Sequence, residues 1–302
     1  MGPCVRGGHG ERFALQVSDR CPGQRSLIML VAAPCDDRRE SRRARGPGEV
    51  QTGAMDRDMA LDAIDLESGR FLFAASKGST SLGAPVPTCP GWDVARLVQH
   101  LGFIYGRLAL VVSAQRTEAP DRSEVPAAPD GDALLGWFAE QRAEMLAALG
   151  GANEESVVWN WTDKSPGPTS FWFRRMAHET LIHRVDIELA VSDEATPGDP
   201  DVSADTVTEF FELFYPLFED QRLETIGGSL HLHATDISDS EWTIDPRLGS
   251  SSFTREHAKA DVALRGGAFD IACWTWARLP TERLEIFGDR QIAEHFQEVL
   301  NA

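Results

Sequence analysis

Between Val94 and Val112 the residues Val94, Leu97, Val98, Leu101, Ile104, Tyr105, Leu108, Val111 and Val112 recur at steps of three and four. An α-helix turns once in 3.6 residues, so this spacing gathers them into one broad apolar face that has to be buried. Asp93, just ahead of the run, is a suitable N-cap. Three other stretches show helical spacing. One runs from about Asp58 to Ser76, with Leu61, Ile64, Phe71, Leu72 and Ala75 near one face. One starts near Asp132 and ends at Gly150-Gly151. One covers about Ser170 to Val191, with Phe173, Met176, Thr180, His183, Ile187 and Ala190 inward. Four amphipathic helices joined by loops predict an up-down four-helix bundle over residues 55–195.

Beyond Pro197 the texture changes. A Phe-rich helix is expected at about Ala204 to Asp220. Strand-like stretches follow at Ser229–Ala234, Glu241–Ile244 and Asp261–Leu264, with helices near Ala268–Ala277 and Gln291–Leu300. The expected fold class is therefore α+β with two domains, the bundle being followed by a small α+β domain over residues 200–302.

Residues 1–54 differ from both. They are rich in Gly, Arg and Pro, with nine arginines against six acids and no sustained periodicity. The run from Leu27 to Ala33 resembles a signal-peptide core, but Glu11, Asp19 and Pro34 argue against that. A disordered or mis-called N-terminal extension is expected there, with Met55 a natural start.

The net charge of −18 argues against nucleic-acid binding, which needs clustered Lys and Arg. No apolar run approaches the roughly 20 residues of a membrane span. Of the five cysteines, Cys4, Cys21 and Cys35 lie in the N-terminal segment, while Cys89 and Cys273 form no pair motif. Without a disulfide framework, a cytoplasmic location is expected.

The chemistry-bearing segment is Met176-Ala177-His178-Glu179-Thr180-Leu181-Ile182-His183. Residues four apart on a helix share a face, so Glu179 and His183 can grip one ion. His178 and His183 point about 140° apart and cannot. The register is thus not that of the His-Glu-x-x-His proteases. Glu179 sits on a face that should be buried, where a lone carboxylate costs several kcal/mol unless it is paired or metal-bound. His100, at the edge of the buried stripe, is the candidate third ligand. Asp186, one turn beyond His183, is placed to orient an imidazole. Two histidines and a carboxylate leave a coordination position open, the pattern of catalytic zinc. Spacing alone leaves His100 open between core residue and ligand, and leaves Glu179 and His183 open between a metal pair and a hydrogen-bonded surface pair. His231 and His233, two apart on a strand, read as sheet-surface residues. Trp159, Trp161 and Trp172 read as core or pocket wall, and Cys89 as structural.

Two segments carry a family likeness. Val-Pro-Thr-Cys-Pro-Gly-Trp-Asp at 86–93 with Leu97-Val98-Gln99-His100-Leu101-Gly102, and Met176–Glu179 with His183–Asp186, resemble signatures of the mycothiol-dependent maleylpyruvate isomerase family. Segments 230–236, 255–261 and 284–290 are similar too. Val185 stands where that pattern commonly has Trp. The resemblance implies a DinB-like bundle followed by a sterol-carrier-like domain. It implies zinc, or another divalent metal, held by His100, Glu179 and His183, with mycothiol as co-substrate and a small electrophile as substrate. It also implies an assisting arginine from the C-terminal domain, for which Arg265 is the candidate. A metal-dependent hydrolase and a non-enzymatic carrier of small molecules or lipids are the alternatives.

Overall fold

The computed structural model describes residues 55–77, 81–192, 194–249 and 252–301. The expected N-terminal extension, with Cys4, Cys21, Cys35 and the apolar run Leu27 to Ala33, lies outside the described residues.

Four long helices come first: α1 (Arg57–Ala75), α2 (Val94–Ser113), α3 (Leu134–Gly150) and α4 (Ser170–Ser192). Capping sets two of the starts. The Asp56 carboxylate accepts from the Met59 amide, and the Asp93 carboxylate accepts from the Arg96 amide, satisfying donors that have no partner inside the helix. α1 packs chiefly along α4, and α2 along α3. A two-stranded ribbon, β1 (Val157–Val158) with β2 (Gly167–Pro168), lies between α3 and α4.

α2 and α3 approach closely because Gly102 and Gly106, one turn apart, face Trp137 and Gln141, also one turn apart. A Cβ on Gly102 would stand 2.3 Å from the Trp137 ring, and one on Gly106 would stand 2.2 Å from the Gln141 side-chain oxygen. Gly102→Ala is therefore expected to cost about 1–3 kcal/mol through overpacking. Urea unfolding measures that loss directly.

The second half begins with α5 (Pro200–Glu209). It continues through one π-turn over Phe210–Phe214 and a 3-10 turn at Tyr215–Leu217. The helix expected at Ala204 to Asp220 thus starts four residues earlier, where Asp199 caps it and Pro200 opens it, and its regular part stops at Glu209. Pro216, which lacks the amide proton an α-helix needs, stands in the 3-10 turn that follows. After a short α6 (Asp220–Glu224) comes a five-stranded sheet of order β5-β4-β3-β6-β7. Its strands are β3 (Leu230–Ala234), β4 (Glu241–Ile244), β5 (Phe253–Thr254), β6 (Val262–Gly266) and β7 (Glu285–Gly288). Only β3 and β6 pair in parallel. α7 (Ala268–Thr275) contacts β3 and β6, and α8 (Arg290–Asn301) contacts β6.

Alternation fixes the faces of this sheet. Leu230 pairs with Ile244 and Val262, and Leu232 with Trp242 and Leu264, all buried. His231, His233, Glu241, Thr243 and Arg265 carry the opposite parity and point to the other face. A one-residue slip would turn the apolar set outward, so the register is strongly held.

Two apolar clusters make up the core, one among α1–α4 and one around the sheet. Ile182 of α4 joins the sheet cluster, while Phe269 and Cys273 of α7 join the bundle cluster. α4 therefore lies between the two and is buried almost all round, from Trp172 to Ile187. Its charged residues are accommodated because each has a partner. Arg174 meets Asp205 and Glu212, His178 meets Asp205 and Glu209, and Arg184 meets Glu67 and Glu188. Among the described residues, no helix is long and apolar enough to cross a membrane.

Candidate metal centre and substrate cavity

α4 contributes Glu179 and His183 one turn apart, and their side chains meet: His183 Nε2 lies 3.1 Å from Glu179 Oε1. α2 contributes His100, whose Nε2 lies 3.6 Å from the same oxygen. The ligand-capable atoms of His100, Glu179 and His183 all fall within 4.8 Å of one another. The His100 and His183 rings stand edge to face with centroids 5.0 Å apart. His100 Nε2 is buried and has no hydrogen-bond partner. A buried ring nitrogen without a partner is costly, and aimed at a carboxylate and a second imidazole it is the donor a cation would satisfy. The residues present therefore fit a divalent metal.

The other side of His183 is fixed by Asp186, whose Oδ2 lies 2.8 Å from Nδ1. With Nδ1–H donating to the carboxylate, Nε2 is left to face Glu179, the arrangement that holds a metal-binding imidazole in one tautomer. Asp186 is itself held by Arg278, through contacts of 2.8 and 3.0 Å, and by the Thr88 hydroxyl at 2.5 Å. Cys89 Sγ approaches the same carboxylate at 3.7 Å. Burial, and then Asp186, push the Cys89 thiol far up, so it stays protonated.

The charges in this nest are displaced in a coherent way. Burial pulls His183 down, but Glu179 and Asp186 more than reverse that and hold it at about 9. Burial pushes Glu179 up, and the neighbouring His183, His100 and Arg175 reverse this to leave it well below the usual range. Burial dominates at His100 and lowers its pKa, so that ring is neutral at pH 7.

A cavity of about 580 Å³ opens onto His100 and Glu179. Its wall carries Trp92, Phe103, Trp159, Trp161 and Trp172, and its cations are Arg96, Arg107, Arg122 and Arg175. Three of these arginines lie over aromatic rings: Arg96 over Trp92, Arg107 over Trp159 at 4.4 Å, and Arg122 over Phe103 at 4.3 Å. Arg175 instead pairs with Glu179 and Glu209.

His100, Glu179 and His183 are thus brought together, and Asp186 stands behind His183. His178 faces Asp205 and Glu209, away from this group. No fourth protein ligand joins the group among the described residues. Arg265 does not reach it. It lies half-exposed on β6, paired with Glu285 at 3.3 Å, because its parity on the strand turns it away from the core. The arginine that enters from the C-terminal half is Arg278, just past α7. Sequence reasoning missed it, along with Arg107 and Arg122. Arg107 could have been found, since it follows His100 by seven residues and so lies on the same helical face two turns on.

Taken together, the fold and site define a helical bundle with a two-histidine, one-carboxylate centre, joined to an α+β unit. The family model for the mycothiol maleylpyruvate isomerase N-terminal domain matches residues 61–188. Two crystal structures of the mycothiol-dependent maleylpyruvate isomerase, one of them a point mutant, are similar to the chain at a TM-score of 0.51. Their identities are 16% and 17%, and the match covers 76% of this chain and 92% of each of theirs. That likeness establishes a shared fold spanning helices and sheet. No curated protein matches the chain.

Proposed function

We propose that this protein is a zinc-dependent enzyme that uses a low-molecular-weight thiol, mycothiol, to act on a small carboxylate-bearing electrophile, in the manner of a maleylpyruvate isomerase. One observation carries the reading: the buried His100 Nε2, which has no hydrogen-bond partner, converges with Glu179 and His183 beside a cavity that opens onto His100 and Glu179 and is lined by arginines and aromatic rings. His100, Glu179 and His183 would hold the metal. Bound there, zinc supplies Lewis acidity that lowers the pKa of a thiol and favours its thiolate at neutral pH.

The remaining work falls to the chain itself. Arg107 and Arg122 stack on aromatic rings and form no ion pair among the described residues. They are free to take the substrate carboxylate as planar guanidinium partners. This gives them the task that the resemblance assigned to Arg265. The tryptophans exclude water around the reacting carbon, and Asp186 keeps His183 in one orientation. For a cis-enoyl keto acid, sulfur adds to one carbon of the double bond, the resulting single bond rotates, and sulfur leaves. Atoms balance, and the thiol is returned.

An assay of cis-trans conversion with and without thiol tests this. Turnover is expected to need the thiol, to vanish with a chelator, and to return with zinc. Equal turnover without thiol contradicts the reading and favours a metal-activated water.

A further inference from the structure

The outer face of the sheet holds a second convergence of imidazoles. β3 projects His231 and His233 on the parity opposite Leu230 and Leu232, and β4 places Glu241 directly across from His233. The Thr243 hydroxyl, two residues along β4, donates to the Glu256 carbonyl at 2.8 Å. That bond ties the segment after β5 across the strand and brings the next residue, His257, over the same carboxylate. His231 Nε2 lies 3.0 Å and His257 Nδ1 2.5 Å from Glu241 Oε2, while His233 Nδ1 lies 2.8 Å from Oε1. The His231 and His257 rings stand nearly perpendicular with centroids 4.8 Å apart.

Three imidazoles share one carboxylate here. Each ring nitrogen here donates an N–H to the carboxylate when protonated and turns a lone pair on the same point when it is not, so the rings can converge on a cation seated at Glu241. The ligand-capable atoms of His231, Glu241 and His257 lie within 4.8 Å of one another. Arg265, opposite His233 on β6, is drawn aside to Glu285.

We propose that His231, Glu241 and His257 form a second metal site, taking a borderline divalent transition ion such as zinc, with His233 against the other carboxylate oxygen. Two or three imidazoles with one carboxylate select late first-row ions over magnesium and calcium, which prefer all-oxygen shells. The ion would clip β3, β4 and the segment around His257 together. The proposal is independent of the bundle site and does not rest on the proposed activity.

The test is zinc binding to chelator-stripped full-length protein, counted by equilibrium dialysis and metal analysis. The His257 side chain is 75% exposed, so His257→Ala leaves folding intact. It is expected to bind one equivalent fewer than wild type, as is His231→Gln. His183→Ala is expected to keep this equivalent, and the His183→Ala, His257→Ala double variant to lose it. If the bundle centre takes no metal, His183→Ala matches wild type while His257→Ala still loses one equivalent, so the two failures are distinguishable. Unchanged stoichiometry in both His257→Ala and His231→Gln, or an equal response to magnesium, overturns the proposal.

Discussion

Replacing His183 with alanine is expected to remove the bundle metal and about a thousandfold of the thiol-dependent turnover. The reasoning starts from geometry. His183 touches Glu179 with Nε2 and Asp186 with Nδ1, so it connects the candidate centre to Asp186 and Arg278 behind it. Without it, His100 and Glu179 are two ligands on separate helices, too few to hold an ion firmly. A Lewis acid is worth several kcal/mol of charge stabilisation, and about 4 kcal/mol corresponds to roughly a thousandfold in rate. His178→Gln serves as the control. His178 is as deeply buried on the same helix but faces Asp205 and Glu209, so its loss should lower stability and leave that metal in place. Metal content and turnover, measured on both variants, separate the roles. Normal turnover in a metal-free His183→Ala protein contradicts the account.

The second large effect is structural. Arg278→Met should destabilise the fold by about 3–5 kcal/mol, because it strands the Asp186 carboxylate without its cation. Both groups are buried, and the guanidinium contacts both Asp186 oxygens and the Trp276 carbonyl. Burial pushes the Asp186 carboxyl up, and Arg278 and His183 together reverse this and hold it well below its ordinary range. Adding Asp186→Asn to Arg278→Met removes the uncompensated charge and should return part of the stability, a coupling that urea unfolding of the single and double variants reads out. Metal affinity should also fall, by about 10–100-fold, since Asp186 orients His183.

Much of the candidate site was legible in the sequence because it is local. Glu179 and His183 are one turn apart, Asp186 is three residues further, and the α2 stripe places His100 at its edge. The strand at Asp261–Leu264 was legible too, but not the parity that turns Arg265 outward, which follows from Leu264 being buried opposite Leu232. The arginine that does reach the site depends on how the chain leaves α7. There Ala277 takes a positive φ of 53° and the Arg278 amide bonds back to the Cys273 carbonyl, a reversal that no periodicity announces. β7 escaped notice because it is a short edge strand that is largely exposed, so its sequence shows no buried face. The pairing of Arg174, His178 and Arg184 on α4 was not legible, since their partners Glu67, Asp205 and Glu209 are distant in sequence and only the fold brings them together.

The central claim is that His100, Glu179 and His183 hold a metal with a position open to a thiol. X-ray absorption on zinc-loaded His257→Ala protein, in which the bundle centre dominates the signal, tests it most directly. Without thiol, the ion should show nitrogen and oxygen neighbours only. On adding mycothiol, one sulfur should enter at about 2.3 Å. A shell that stays free of sulfur under turnover conditions would contradict the account.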